Sequence, residues 1–163
     1  MKSAPVIDLT LIDPRGEIAV KLMRALAEQE ARLYHDLGAD TFDAFLPEDV
    51  LVPRGAFVLA RLDGEPAGCG ALRPIDAEAA EINRMYVEPI ARRKGVGRAI
   101  LAELERVASG FGYQILRLET GNRQPEAIAL YEGHGFRRTA AFGAHSSDPV
   151  SLFFEKILKG GPR

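Results

Sequence analysis

Arg92-Arg93-Lys94-Gly95-Val96-Gly97-Arg98 sets four cations and two glycines between an apolar run and a helical one. A strand has to stop before this passage and a helix has to start inside it. The strand is Glu81 to Val87, stopped by Pro89. The helix carries Val96, Ile100, Leu101, Leu104 and Val107 on one face and ends near Gly110 or Gly112. A helix start leaves about four backbone N–H groups unpaired and carries the positive end of the helix dipole. Glycines let backbone approach an anion, and Arg and Lys add charge. The pattern points to a phosphate site, and the plain alternative is a solvated basic turn. The chain has 21 Lys and Arg against 23 Asp and Glu, a net charge of −2, so such a cluster of cations is not background. A dinucleotide fingerprint would need glycine at 100, where Ile100 stands, and the nucleotide P-loop pattern occurs nowhere.

The rest of the chain frames this passage. Val6 to Ile12 alternates apolar with polar and reads as a strand ended by Asp13-Pro14-Arg15-Gly16. Glu17 to Tyr34 carries Ile18, Leu22, Ala25, Leu26 and Leu33 at helical spacing. Asp40 to Val50 has room for a second, shorter helix. Ala56 to Leu62 and Ala67 to Arg73 form a hairpin around Asp63-Gly64-Glu65. Gln114 to Glu119 is a strand. Pro125 opens a helix that Gly135 closes. Phe136 to Phe142 and Ser151 to Ile157 are the last strands. The order β-α-α-β-β-β-α-β-α-β-β predicts a mixed α/β (α+β) domain with a mostly antiparallel sheet of about seven strands and about four helices. At 163 residues one domain over 1–163 is expected, with its core at about 6–158 and a frayed tail from Lys159.

What remains of the phosphate loop is [QR]-x-x-G-x-[GA] between strand and helix. Here the chain resembles the GNAT superfamily of N-acetyltransferases, in which this loop cradles the pyrophosphate of acetyl-CoA. Met85-Tyr86-Val87-Glu88-Pro89 running into Arg92–Gly97 is similar to the family's strand-to-helix passage. Ala127 to Phe136 is similar to its A-x-x-x-Y-x-x-x-G-F segment, and the order of elements also matches. The resemblance implies that the backbone of Met85, Tyr86 and Val87 holds the pantetheine arm. It also implies that Arg92 and the N–H groups of Arg93, Lys94, Gly95, Val96, Gly97 and Arg98 hold phosphates. Strict alternation would put Ile82 on the face of Arg84, which a bulge near there would repair. Family members splay this strand at a bulge.

An amine attacks a thioester only when neutral, and free primary amines have a pKa near ~10, so a base must take a proton. Glu81, 11 residues before Arg92, stands where some family members carry a glutamate base. Its alternative is a solvent-facing strand end, and Glu88 and Glu119 are further candidates. A backbone N–H on the same strand can stabilise the oxyanion. A phenol near ~10 can protonate a departing thiolate whose thiol is near ~8.5. Tyr131 matches the tyrosine with this part in many relatives; its alternative is a core tyrosine. Asn122 resembles a cofactor-contacting asparagine, but here it is five residues from Ala127, not three, and a turn or capping role suits it better.

Cys69 is alone, which excludes an internal disulfide and cysteine-based zinc sites and makes it a small buried hydrophobe. His35, His134 and His145 show no ligand spacing, so no metal is expected. His134 reads as a helix C-terminal residue. His145, in the loop 143–149, borders the acceptor or is solvated. No apolar run reaches membrane length and no signal peptide is evident, so a reduced cytoplasmic setting is expected. The resemblance implies direct transfer of acetyl from acetyl-CoA to a small-molecule or peptide amine in a ternary complex, and a possible homodimer. A non-catalytic acyl-CoA-binding module is the alternative. A nucleic-acid partner is not expected from one basic cluster on an acidic chain.

Overall fold

The computed structural model describes residues 3–37, 47–143 and 146–158. Among them stand β1 (Ile7–Leu11), α1 (Glu17–Leu33), β2 (Ala56–Leu62), β3 (Glu65–Pro74) and β4 (Ala79–Val87), then α2 (Val96–Gly110), β5 (Ile115–Gly121), α3 (Pro125–Gly133), β6 (Arg137–Arg138) and β7 (Ser151–Ile157). The strands form one sheet in the order β1-β2-β3-β4-β5-β7-β6. Every neighbouring pair is antiparallel except β4 and β5, which run parallel. That parallel pair needs a crossover, and α2 supplies it.

The hairpin joining β2 and β3 turns at Asp63 and Gly64, with φ of 50° and 87°. Two consecutive positive φ values match the right-handed twist of the flanking strands. Alternation along β2 then sorts its side chains to two faces. Val58 and Ala60 pack with Ile100, Leu101 and Leu104 of α2. Phe57 and Leu59 pack with Leu22 and Leu26 of α1 on the opposite face. Helix α2 lies very close to β3. A Cβ at Gly70 would fall 2.7 Å from Ile100 Cγ2 and 2.9 Å from Leu104 Cδ1, so only glycine admits the helix here.

The architecture is the mixed, mostly antiparallel sheet the sequence predicts, with three α-helices among the described residues rather than about four. Of the expected helix Asp40–Val50, Pro47–Val50 form a 3-10 turn, and the rest lies outside the described residues, as does His145. The strand expected over Phe136–Phe142 shrinks to Arg137–Arg138. The two arginines are exposed on an edge strand, where charge discourages further pairing. Phe142 lies outside the ladder and sets its half-buried ring edge-on against Phe153, 5.2 Å between centroids.

Candidate active site

The site begins at a defect in the sheet. Asn83 pairs with Ala71 and Tyr86 with Cys69, so Arg84 and Met85 on β4 oppose Gly70 alone on β3. This is a β-bulge, and Arg84 sits at its apex with φ of 56°. The bulge turns β4 away from β5, and their pairing stops at Ile82–Leu118. A cleft with about 90 Å³ of room opens beyond that point, lined by Asn83, Arg84 and Met85 on one strand and Glu119 to Gly121 on the other. A buried water needs roughly 15 Å³, so this holds about six waters or a small polar headgroup.

Other elements close the cleft. Helix α1 brings Leu26 and Glu30, with Tyr34 at its C-terminal cap, α3 brings Tyr131, and the turn before β7 brings Asp148. Arg123 holds the end of α1 to the β5–α3 turn through Asp36 Oδ1 (2.6 Å) and the Leu33 carbonyl (3.0 Å). The cleft is acidic, with Glu30, Glu81, Glu119 and Asp148 among its lining residues. Asn83 Oδ1 is buried without a hydrogen-bond partner. Such an atom destabilises the site by about 1–3 kcal/mol unless a donor meets it.

Glu81 lines the cleft, and the Arg73 guanidinium directly across the β3–β4 ladder donates to its Oε1. Tyr131 is 6% exposed, edge-on to Phe136 at 6.1 Å. Burial, and then the charges of Glu30 and Glu119, push its phenol well above the usual tyrosine range. It is therefore both a core tyrosine and a cleft residue. Glu119 accepts from Ser151 Oγ at 2.7 Å. Burial and Glu119 raise the Glu30 carboxyl to about 7, against a smaller lowering by Arg84. Glu88 accepts from the Tyr86 hydroxyl at 3.3 Å and does not line the cleft.

The basic loop stands at the start of α2. Arg93 and Gly95 both take left-handed backbone, with φ of 63° and 85°. For a non-glycine residue this costs about 1 kcal/mol or more, and such strain collects at functional sites. No side chain caps α2, whose first residues are Val96, Gly97 and Arg98. Arg93, Lys94 and Arg98 are exposed beside those N–H groups. Arg92 is different: its Nε donates to the Val87 carbonyl at 3.0 Å, and its Nη2 to Gln29 Oε1 on α1. Its side chain ties the loop to α1 instead of lying loose over the helix start.

Asn122 lies in the β5–α3 turn, its N–H donating to the Val150 carbonyl at 2.8 Å. His134 ends α3 and meets Glu105 Oε2 at 3.1 Å. No group of His, Cys, Asp and Glu able to hold a metal ion occurs among the described residues. None of the described helices is long and apolar enough to cross a membrane. Cys69 is fully buried, and burial pushes its thiol up to about 12. Since the thiolate is the reactive form, Cys69 in the folded protein should resist iodoacetamide at neutral pH and react only after denaturation. Mass spectrometry of alkylated samples checks this, and rapid native labelling would contradict the packing.

The family model described as Acetyltransferase (GNAT) family matches residues 18–136, which contain the bulge, the basic loop and Tyr131. An IAA acetyltransferase of Azospirillum brasilense is 35% identical over 156 residues, 94% of this chain and 99% of that protein. A Klebsiella pneumoniae protein described as an acyl-CoA N-acyltransferase is 33% identical over 94% of this chain and 98% of its own, with a TM-score of 0.76. The fold is shared further with a GNAT acetyltransferase of Elizabethkingia anophelis solved with acetyl-CoA bound, at 22% identity and a TM-score of 0.67 over 93% of this chain and 98% of that one. A bulged strand feeding an uncapped basic helix start, in a chain with these relatives, makes this protein an acyltransferase enzyme belonging to the GNAT family of acetyltransferases.

Proposed function

We propose that the enzyme moves the acetyl group of acetyl-CoA directly to a primary amine within a ternary complex. The observation that carries this reading is the placement of the acidic cleft at the bulge between two strands, a few residues upstream of the basic loop. The N–H groups of Val96, Gly97 and Arg98, with the cations of Arg93, Lys94 and Arg98, take the phosphates. The backbone of Met85, Tyr86 and Val87 lies along the pantetheine, and Arg92 steadies the loop. The co-substrate supplies the activated acyl group, and the chain supplies position and proton traffic. A cleft rich in carboxylates draws in an ammonium, and Asn83 Oδ1 is ready to accept an N–H from the acceptor. Tyr131 gives its proton to the departing thiolate. The acceptor is a small-molecule or peptide amine whose reacting end fits the cleft.

The test is calorimetric titration of acetyl-CoA followed by thiol release with a panel of primary amines. Micromolar binding and amine-dependent thiol release are expected. Absence of binding, or thiol release indifferent to every amine, would overturn the reading.

A further inference from the structure

The structure assigns a base that the motif does not contain: we infer that Glu30 of α1 takes the proton from the acceptor ammonium, with Glu119 across the cleft tuning it. This inference rests on the amine-transfer reading above and adds a residue to it.

Geometry carries the assignment. Leu22, Leu26, Glu30 and Tyr34 recur every four residues along α1, and the last three all line the cleft. A stripe at this spacing faces the sheet, so the helix delivers one carboxylate onto its buried face. The other carboxylates of the cleft are engaged. Arg73 donates to Glu81 and Ser151 donates to Glu119. Among the described residues no side chain donates a hydrogen bond to Glu30. A half-buried carboxylate that no side chain donates to, set beside another carboxylate, holds a proton more tightly than a carboxylate in water. That is the property a base for an amine needs.

The charged and titratable groups that share the cleft with Glu30 are Glu81 and Arg84 on β4, Glu119 on β5, Tyr131 on α3, Tyr34 on α1 and Asp148 before β7. Burial and Glu119 lift Glu30 from 4.5 to about 7, while Arg84 opposes them. Glu30 is therefore poised near neutrality. The charges of Glu30 and Glu119 also hold the Tyr131 proton in place. When Glu30 takes a proton, part of that hold disappears, and Tyr131 becomes the better acid as the thiolate departs. The balance is simple. The C–N bond forms and the thioester C–S bond breaks. One ammonium proton passes to Glu30 and out to solvent. The second leaves nitrogen and replaces the proton that Tyr131 gives to sulfur.

A carboxyl lifted on folding stabilises the native state fully below its unfolded value and loses that contribution as pH rises through its folded value. Glu30 thus weighs against the fold above about pH 7. Glu30→Gln carries no charge, so it should melt higher than the wild type above neutrality while losing activity. A residue needed only for structure would show the reverse.

The experiment measures pH profiles of thiol release from acetyl-CoA, using the best of propylamine, ethanolamine, putrescine, glycinamide and tryptamine. In Glu30→Gln, kcat should fall by about 100-fold or more at neutral pH and the acidic limb should vanish, with acetyl-CoA affinity unchanged. Glu30→Asp should keep the limb at reduced rate. An active wild type whose acidic limb survives in Glu30→Gln, or disappears in Glu81→Gln alone, overturns the assignment. An effect of Glu30→Gln on KM without kcat does the same. A wild type that releases no thiol with any of these amines overturns the amine-transfer reading itself.

Discussion

Gly97→Asp and Gly95→Asp should each weaken acetyl-CoA binding by about 100-fold or more, the loss of roughly two charge-assisted hydrogen bonds. The two positions act by different routes. A Cβ at Gly97 would lie 3.2 Å from Leu130 Cδ2 and 3.6 Å from Val87 Cγ2, so a side chain there fits once the Leu130 side chain gives by a few tenths of an ångström. Gly95 has open space, with Ile7 Cδ1 3.9 Å away, but its φ of 85° is one that L side chains rarely adopt. In both, a carboxylate arrives where phosphate would bind, at the positive end of α2, and repels it. Calorimetry gives the affinity, and a melting curve on each variant separates lost binding from lost folding. Gly95→Ala is the control for strain alone, expected to destabilise by about 1 kcal/mol with a much smaller effect on binding. Equal affinities for wild type and both aspartate variants would mean that the helix start is not the phosphate site.

The second large effect is expected from Tyr131→Phe. General acids contribute roughly 100- to 10,000-fold, so kcat should fall within that range. The ring packs against Phe136 and Phe154, and phenylalanine keeps those contacts. Stability and acetyl-CoA affinity should therefore hardly move. The pH dependence is a sharper criterion. Burial and the two neighbouring glutamates push the phenol above its usual range, so Tyr131 stays protonated across any working pH. The wild-type profile should show no basic limb from this group, and Tyr131→Phe should lower the whole profile without changing its shape. An unchanged rate at every pH would remove Tyr131 from the chemistry and leave it a core residue.

Most of the sheet was legible because period-2 and period-3.6 patterns are local. β2 and β7 span the residues expected of them, and α2 starts where the glycines place it. The bulge was legible too, since alternation through Ile82 and Arg84 could not continue unbroken, and Arg84 indeed leaves the ladder. The shortened strand β6 was not. Whether a stretch such as Phe136–Phe142, with two arginines between its rings, pairs or packs depends on the partner those rings find, here Phe153 for Phe142.

The active-site reading divides along the same line. The basic loop is a contiguous motif whose residue types point to an anion, and Tyr131 stands in a segment whose resemblance to the family nominates it. The titratable side chains of the cleft come from α1, β4, β5 and α3, which no local spacing brings together. The family resemblance nominates Glu81, but only the β3–β4 register reveals the Arg73 guanidinium opposite it. Arg92 was counted with the phosphate cations, and only the approach of α1 shows Gln29 engaging it. One local sign of Glu30 did exist: a lone carboxylate four residues beyond Leu26 on an apolar stripe. What that sign means depends on which sheet face α1 covers and which charges it meets there. The sequence by itself determined the order of most elements, the basic helix start and the place of a tyrosine on α3, because each rests on neighbours in the chain. Only the tertiary structure decided which cleft carboxylate lacks a side-chain donor and sits beside another carboxylate, because desolvation and charge coupling arise between segments far apart in sequence.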